Sequence, residues 1–548
     1  MSATLAKLHF HRSNWAIPAE QLAQPPALPL LPAQFTGRQA ETQQAIALWQ
    51  RLRPRTAPKV MAIVGQAGVG KSAFAVHLAH QIRSRFTNGQ VYLNLRSEPP
   101  LSPAAIEQQI CRALSVEQLS ELSDRRILLL LDAIETAAQL QPLLKLSEDC
   151  TILVTSAQPL AEIDTIELQP LSSADGIALL QAIAPAKPIL AEAKTAKAIV
   201  QLCDNLPLPL CLIAALLQQP QLQLDDCLQQ LMEERKRCEQ AHLSYPAIRA
   251  SFHLSYRRLD APTARLLRRI GVLVEPTLTA ETAAALSDSI ESAQASLALL
   301  RRMRLLEWTG TDYRLPDLLR RLVKSQLAIE ESTETRQALR LRLAQHYQEM
   351  AEILSSCWEA SRSIFERDRS NFLAAIDWAI QAEAWPIAIP TIASLTPFML
   401  DRGDAARWLQ MLQTAIAAAA SSDALPVAQL HNHLGNTYAH LGDWEKAKAH
   451  YQQSLQHLQD RQEPIREAQT IANLGLVYRQ QNNLEAAAMQ WAIALGRLPA
   501  GSAADRAMIQ WMQSIDEALL QKAGSRVDRP AASNLLGAIG GIFKRIIS

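Results

Sequence analysis

Glycine is scarce in this chain, 18 in 548 residues, and aromatic residues make up only 5%. So little glycine argues against a loop-dominated architecture, and the abundance of Ala, Leu and Gln favours helix. Neither sign of charge is in excess: 54 Lys and Arg meet 53 Asp and Glu, a formal net charge of +1. No global attraction to nucleic acid or an acidic membrane follows. The seven cysteines (Cys111, Cys150, Cys203, Cys211, Cys227, Cys238, Cys357) never fall at C-x-x-C spacing. That excludes the common metal and redox motifs and suits buried thiols in a reducing cytosol. No uncharged run is long enough to span a bilayer. Residues 1–32 mix His, Arg and Glu with five prolines and lack the apolar centre of a secretory signal. The expectation is a soluble cytoplasmic protein of about three or four domains.

What is present is organised around Val60-Met61-Ala62-Ile63-Val64-Gly65-Gln66-Ala67-Gly68-Val69-Gly70-Lys71-Ser72. A short apolar run breaks into a glycine loop, and Phe74, Val76, Leu78, Ala79 and Ile82 then recur at helical spacing. Gly65, Gly70, Lys71 and Ser72 stand at the spacing G-x-x-x-x-G-K-S. Glycines let successive backbone N–H groups turn inward toward phosphate oxygens, and the new helix adds its positive end. Lys71 is positioned to neutralise the outer phosphates and the Ser72 hydroxyl to ligate Mg²⁺. The loop, from Gly65 through Gln66, Ala67, Gly68, Val69, Gly70, Lys71 and Ser72 to Ala73, is therefore expected to bind ATP or ADP.

Further strands are expected at Val91–Leu95, at the continuous apolar run Arg126–Glu135, and at Thr151–Ser156. A run of that kind is a strand buried on both faces, as in a parallel sheet. Asp132 would emerge at its carboxyl end, where such sheets bind ligands, and would hold Mg²⁺. With Lys71 it is the expected catalytic pair. Helix predominates from Leu168 onward. Asp204-Asn205-Leu206-Pro207-Leu208-Pro209-Leu210 interrupts it, and a helix is expected from Cys211 to Gln218. Short amphipathic helices and a hairpin over Arg304–Leu315, turning at Gly310, then give the layout of a winged helix.

From residue 335 the pattern is helix after helix. Leu434-Gly435, Tyr438, Gly442, Ala447 and Tyr451 recur forty positions on as Leu474-Gly475, Tyr478, Asn482, Ala487 and Trp491. Small residues at contacts and aromatics in the gaps are tetratricopeptide logic. Asn371–Ala382 and Ile387–Ala419 read as degenerate units. In the last residues Leu535, Leu536, Ile539, Ile542, Phe543, Ile546 and Ile547 fall on one side of a helical wheel. Two readings stand there: a helix on a membrane surface or in a groove, and a cap on the repeat stack.

With these pieces in order the chain resembles the NB-ARC, or STAND, type of signal-transduction P-loop ATPase. Phe35-Thr36-Gly37-Arg38 is similar to the segment that lies beside the adenine in that family. Gly65–Ser72 matches its Walker A loop and Leu128–Asp132 its Walker B strand. Leu206-Pro207-Leu208 resembles the G-L-P-L motif, whose proline touches the nucleotide; Asn205 stands where glycine is usual. The resemblance thus implies nucleotide contacts at Phe35, Gly37, Arg38 and Pro207. Three departures stand out. Ala133 occupies the place of a second acid, Ala157 follows the hydroxyl-ended strand where an arginine is common, and Leu315-Pro316-Asp317 replaces Met-His-Asp. Binding groups are kept while water-positioning groups are thinned, so the expectation is a slow ATPase at most.

The fold class expected is multidomain: an α/β P-loop nucleotide-binding core, a helical domain and winged helix, then an all-α tetratricopeptide-like superhelix. The divisions are an extended lead-in over 1–32, the P-loop core over 33–168, the helical domain over 169–243 and the winged helix over 244–327. Degenerate repeats follow over 335–424, tetratricopeptide repeats over 425–524, and a linker with the amphipathic tail over 525–548. The leading functional reading is a nucleotide-gated switch, with a protein or peptide on the repeats and nucleotide-dependent self-association. A repeat scaffold with a structurally bound nucleotide is the alternative. Between residues 250 and 324 twelve Lys and Arg face eight Asp and Glu. The arginine pairs among them are read as solvated faces and inter-domain pairs in preference to DNA contacts. Membrane contact through the tail, and a peripheral location, stay open.

Overall fold

The computed structural model describes residues 28–31, 34–52, 58–96, 101–114, 116, 118–122, 124–356, 358–401, 405–420, 424–459, 461–498 and 506. The linker and amphipathic tail over 525–548, and all but four residues of the lead-in, lie outside them. The chain divides into two compact units, Met1–Leu343 and Ala344–Ser548. Among the described residues no helix is long and apolar enough to cross a membrane.

The first unit is built on a parallel sheet of β1 (Lys59–Val64), β2 (Gln90–Asn94), β3 (Leu128–Ile134), β4 (Thr151–Ser156) and β5 (Asp164–Glu167), in the order β2-β3-β4-β1-β5. Strand alternation sends successive side chains to opposite faces. Met61, Ile63, Leu128, Leu130 and Leu153 pack on one side with Phe74 and Leu78. Ala62, Val64, Leu129, Leu131, Ile152 and Val154 pack on the other with Ile106 and Ile110. Both faces are buried, which is why the apolar runs are continuous. Helices α1 (Gln39–Arg51), α2 (Lys71–Ile82) and α3 (Pro103–Leu114) accompany the sheet. Edge strand β5 was not legible beforehand: of Asp-Thr-Ile-Glu only Ile166 is buried.

Four helices follow: α4 (Ser173–Ile183), α5 (Ala193–Leu202), α6 (Pro207–Leu217) and α7 (Leu224–Gln240). Helix α6 starts four residues before the expected Cys211. Proline is well placed in a first turn because its missing N–H has no partner to lose there. Asp204 and Asn205 before it both adopt positive φ, 52° and 56°, a conformation Asn and Asp tolerate better than most residues. That explains Asn205 at a position where the family resemblance implies glycine.

Next come α8 (Pro246–Arg257), α9 (Ala261–Ile270), β6 (Thr277–Leu278), α10 (Ala280–Leu286), α11 (Ile290–Arg302), β7 (Glu307–Trp308), β8 (Tyr313–Arg314) and α12 (Asp317–Glu330). The expected hairpin forms, and β6 adds to it as a third antiparallel strand in the order β6-β8-β7. Most arginines of the pairs are engaged internally. Arg257 reaches Glu234 at 2.8 Å and Arg268 reaches Glu331 at 2.6 Å. Arg258 binds Gln230 at 2.8 Å, and Arg301 lies over the Trp308 ring.

The boundary between the units falls inside α13 (Thr333–Ser356). The second unit continues through α14 (Trp358–Gln381), α15 (Trp385–Asp401), α16 (Ala405–Ala419), α17 (Ala424–His440), α18 (Trp444–Leu458), α19 (Pro464–Gln480) and α20 (Leu484–Arg497). The repeated small and aromatic residues meet as pairs. A Cβ on Gly435 would come within 2.6 Å of the Tyr451 ring, and one on Gly475 within 2.3 Å of Trp491 Nε1. Gly442 and Asn482, equivalent in the repeat, both turn the chain through positive φ, 78° and 61°. Gly435→Ala and Gly475→Ala should each destabilise by roughly 1–3 kcal/mol, because a fixed ring has nowhere to move. Thermal unfolding of the full chain reads this; an unchanged midpoint for both would refute ring-against-glycine packing.

Candidate functional site

Strand β1 ends at Val64, and the loop that follows cannot be built from ordinary residues. Gly65 has φ 145°, and a Cβ there would lie 2.6 Å from the Leu168 carbonyl oxygen. Gly68 and Gly70 also have positive φ, 81° and 95°, and α2 starts at Lys71. Lys71 Nζ donates to the carbonyls of Gly65 at 2.7 Å and Gln66 at 3.1 Å, so the cation closes over its own loop. Burial lowers the Lys71 pKa, and the Asp132 carboxylate opposes that shift. Gln66 and Ser72 are exposed, while Ala67, Gly68, Gly70 and Ala73 are half-buried. A curled backbone with a helix start and an ammonium beside it can take an oxyanion.

Asp132 sits opposite, 4% exposed, on a strand that breaks register at this point. The irregularity lies between Leu131 and Ile134, and Ala133 within it has φ 70°. Such a bulge re-aims a side chain. The Thr155 hydroxyl ties it down, accepting from the Ala133 N–H at 2.9 Å and donating to Asp132 Oδ1. Ser72 Oγ donates to the same Oδ1 at 2.8 Å. Tyr92 Oη donates to Oδ2 at 3.1 Å. Three hydroxyls from three elements thus share one buried carboxylate. An all-oxygen pair of hydroxyl and carboxylate fits a hard divalent cation such as Mg²⁺ and would not select a soft one.

The flanking segments converge on the loop. Phe35 stacks on His77 with ring centroids 4.2 Å apart. Gly37 (φ 73°) packs against Asp175. Arg38, buried at φ 70°, donates to the Val69 carbonyl at 3.2 Å and pairs with Glu41 at 2.7 Å. Pro207 Cγ lies 3.6 Å from where a Gly70 Cβ would be, and the Leu208 N–H points at the Gly68 carbonyl, 3.4 Å away. Arg38, Pro207 and Asp132 thus meet residues of the loop itself, whereas Phe35 meets α2 at His77 and Gly37 meets α4 at Asp175. Glu135 is exposed, its backbone N–H held by Gln139, and Pro316 is the N-cap residue just before α12. Tyr92, Thr155 and Arg314 escaped sequence reading. Nothing in a strand pattern says which hydroxyl points at a neighbouring strand's acid.

Among the described residues one trio of potential ligands, Glu234, Cys238 and His253, lies within 4.8 Å of one another. Glu234 already accepts from Arg257 at 2.8 Å and Arg237 at 3.1 Å. Two guanidiniums beside the carboxylate oppose a metal cation, so the trio reads as a buried ion-pair network.

A parallel P-loop core, a winged helix and a train of helical repeats define a multidomain P-loop protein with an all-α carboxyl-terminal superhelix. Residues 426–490 match the tetratricopeptide repeat family. The chain is 30% identical over 322 residues to the regulatory protein AfsR of Streptomyces coelicolor, covering 54% of this chain and 32% of that protein. It is likewise 30% identical over 348 residues to the regulatory protein AfsR of Streptomyces griseus, covering 59% and 35%. The chain thus spans about a third of the length of these curated relatives. A crystal structure of a STAND protein with a tetratricopeptide repeat sensor from Pyrococcus horikoshii aligns at 14% identity and TM-score 0.37. The alignment covers 90% of this chain and 86% of that one. The chain is a P-loop protein that carries tetratricopeptide repeats over residues 426–490 and is similar over somewhat more than half of its length to these regulatory proteins.

Within the matched repeats, histidines separated in sequence come together. His431 and His450 have Nδ1 atoms 3.1 Å apart, and the His431 ring also stacks on His457. Burial first, then His450 and His457, lower the His431 pKa from 6.5 to about 4; burial alone brings His433 to about 4. Folded-state values below the unfolded one mean that the unfolded chain takes up protons first. Their contribution to stability is full above pH 6.5 and declines as pH falls toward 4. Acidifying the intact chain from about pH 7.5 to 5 should therefore lower its unfolding free energy, by up to about 2 kcal/mol per histidine. The double variant His431→Gln/His433→Gln should lose most of that dependence; an unaltered slope would contradict it.

Proposed function

We propose that this protein is a nucleotide-gated signalling switch of the NB-ARC type, with ATP, ADP and Mg²⁺ as its ligands. The observation that carries the reading is the Ser72–Asp132 contact at the mouth of the Gly65–Ser72 loop, with Lys71 beside it. In this reading the loop N–H groups from Gln66 to Ala73 hold the phosphates and Lys71 neutralises the outer ones. Ser72 and Asp132 hold the cation, which would supply charge neutralisation of the phosphates. Phe35, Gly37 and Arg38 lie beside the base, and Pro207 closes the loop from the helical segment. The contacts of Arg38 with the Val69 carbonyl and of Pro207 with Gly70 support those assignments.

Turnover is slow in this reading. Phosphoryl transfer depends on positioning and electrostatics. Ala133 and Ala157 bring neither a water-orienting carboxylate nor a cation. The repeats are the sensing surface for a protein or peptide. Support comes from the amides gathered between α17 and α19, where Asn473 Nδ2 donates to Asn432 at 3.1 Å and Asn436 at 3.0 Å. Neutral paired amides suit a main chain rather than a charged side chain. The printed name of the Streptomyces relatives, regulatory protein, agrees with a regulatory role. Nucleotide exchange would release self-association surfaces.

Calorimetry of the full chain with ADP and with an ATP analogue tests the binding. Lys71→Ala should weaken both by roughly ten- to a hundredfold, since it removes a charge-assisted contact. Asp132→Asn should abolish most of the Mg²⁺ dependence. Mass in solution should rise with the ATP analogue. Tight binding with no turnover and no change in mass would favour the scaffold reading, and no heat with either nucleotide would remove both.

A further inference from the structure

The winged-helix sheet reaches the Asp132 carboxylate through side chains alone. Arg314 lies in β8, the central strand, opposite Thr277 of β6 on one side and Glu307 of β7 on the other. The next residue, Leu315, donates its N–H to the Pro276 carbonyl at 2.8 Å. Its backbone is therefore fixed from both flanks. From there Arg314 Nη1 donates to Tyr92 Oη at 3.0 Å, and Tyr92 donates onward to Asp132 Oδ2 at 3.1 Å. A second rung runs alongside. Asp317, at the start of α12, accepts from Asn94 at 3.3 Å and pairs with Arg96 and Arg314 at 3.5 Å each. Residues more than 220 positions apart are joined, all on the β2 side of the sheet.

The Tyr92 hydroxyl is the informative atom. A phenylalanine would fill the same volume between the strands; only the hydroxyl touches Asp132. Burial and the Asp132 charge raise its pKa, so it stays a donor. Burial opposes the Arg314 cation, but Tyr92, Asp317, Glu307 and Asp132 around it hold it charged. Asp132 Oδ1 already takes Ser72 and Thr155, which leaves Oδ2 for Tyr92. A divalent cation at Ser72 and Asp132 would withdraw charge from that same carboxylate and weaken it as an acceptor. The cation would also stand near a guanidinium held through one hydroxyl.

We infer that Tyr92 and Arg314 are positioning residues that read cation loading of Asp132 and relay it to the winged-helix hairpin. Docked, the hairpin places a hydrogen-bond donor on the carboxylate and weakens divalent-cation binding. Loaded, the carboxylate releases Tyr92 and Arg314, and the hairpin loosens. Coupling of this kind is reciprocal. The inference rests on the proposed nucleotide site and assigns to it a device made of residues outside the loop.

The test uses the full chain with ADP at a series of free Mg²⁺ concentrations and in EDTA. The variants are Tyr92→Phe, Arg314→Gln and Arg314→Lys. In Tyr92→Phe and Arg314→Gln the Mg²⁺ needed for half of the affinity gain should fall about three- to tenfold, the effect of one lost hydrogen bond. ADP affinity in EDTA should stay within about twofold of the parent, and Arg314→Lys should recover most of the parent's Mg²⁺ requirement. Hydrogen exchange of residues 304–317 should quicken on adding Mg²⁺ and ADP to the parent and should already be fast in Arg314→Gln. A parent that binds ADP but shares its Mg²⁺ dependence and exchange with the variants overturns the relay alone. A parent that binds no ADP at all overturns the nucleotide site, and the relay with it.

Discussion

One carboxylate, taken out of water and given back its hydrogen bonds by three hydroxyls, organises the amino-terminal unit. Asp132 lies almost wholly buried on a central strand, and an ionised group there is tolerable only if its lone pairs are met. Ser72 brings the end of the glycine loop to it, Thr155 the end of β4, and Tyr92 the neighbouring β2. Each donor belongs to a different element, so the carboxylate aligns strand ends that sheet pairing alone would leave free to shift. The bulge at Ala133 is the local price of aiming it.

The loop beside it is constrained in the complementary way. Its glycines are needed less for flexibility than for lack of a side chain. A Cβ on Gly65 would strike the Leu168 carbonyl, and one on Gly68 would press on Ile248. Because the loop is bare, segments from before β1, from α6 and from α8 pack directly on it. Arg38 and Leu208 use its carbonyls as acceptors. The loop is therefore where three parts of the unit meet, and a change in its shape cannot leave them unaffected.

The repeat segment rests on a different physical rule. Gly435 and Gly475 face Tyr451 and Trp491 so closely that each ring occupies the space a methyl group would need. The register of each helical hairpin follows from that fit. Gly442 and Asn482 show how a repeat can vary and still turn: one residue reaches positive φ without a side chain, the other with a short polar one. The forty-residue periodicity was legible because the packing rule is local, acting between helices adjacent in sequence.

Local rules, then, were enough to read the glycine loop, the buried strands, the winged-helix hairpin and the repeats from the chain itself. Periodicity, glycine spacing and apolar runs are set by near neighbours and by burial. Edge strand β5 escaped because a strand buried on one side through a single isoleucine has no pattern to show. Tyr92, Thr155 and Arg314 escaped for a stronger reason. A tyrosine in an apolar strand is indistinguishable from core packing until the adjacent strand's aspartate is placed beside it, and Arg314 meets Tyr92 only once a hairpin 222 residues away has docked. Which polar atoms share a buried charge is decided by three-dimensional register between distant strands, and only the tertiary structure holds that information.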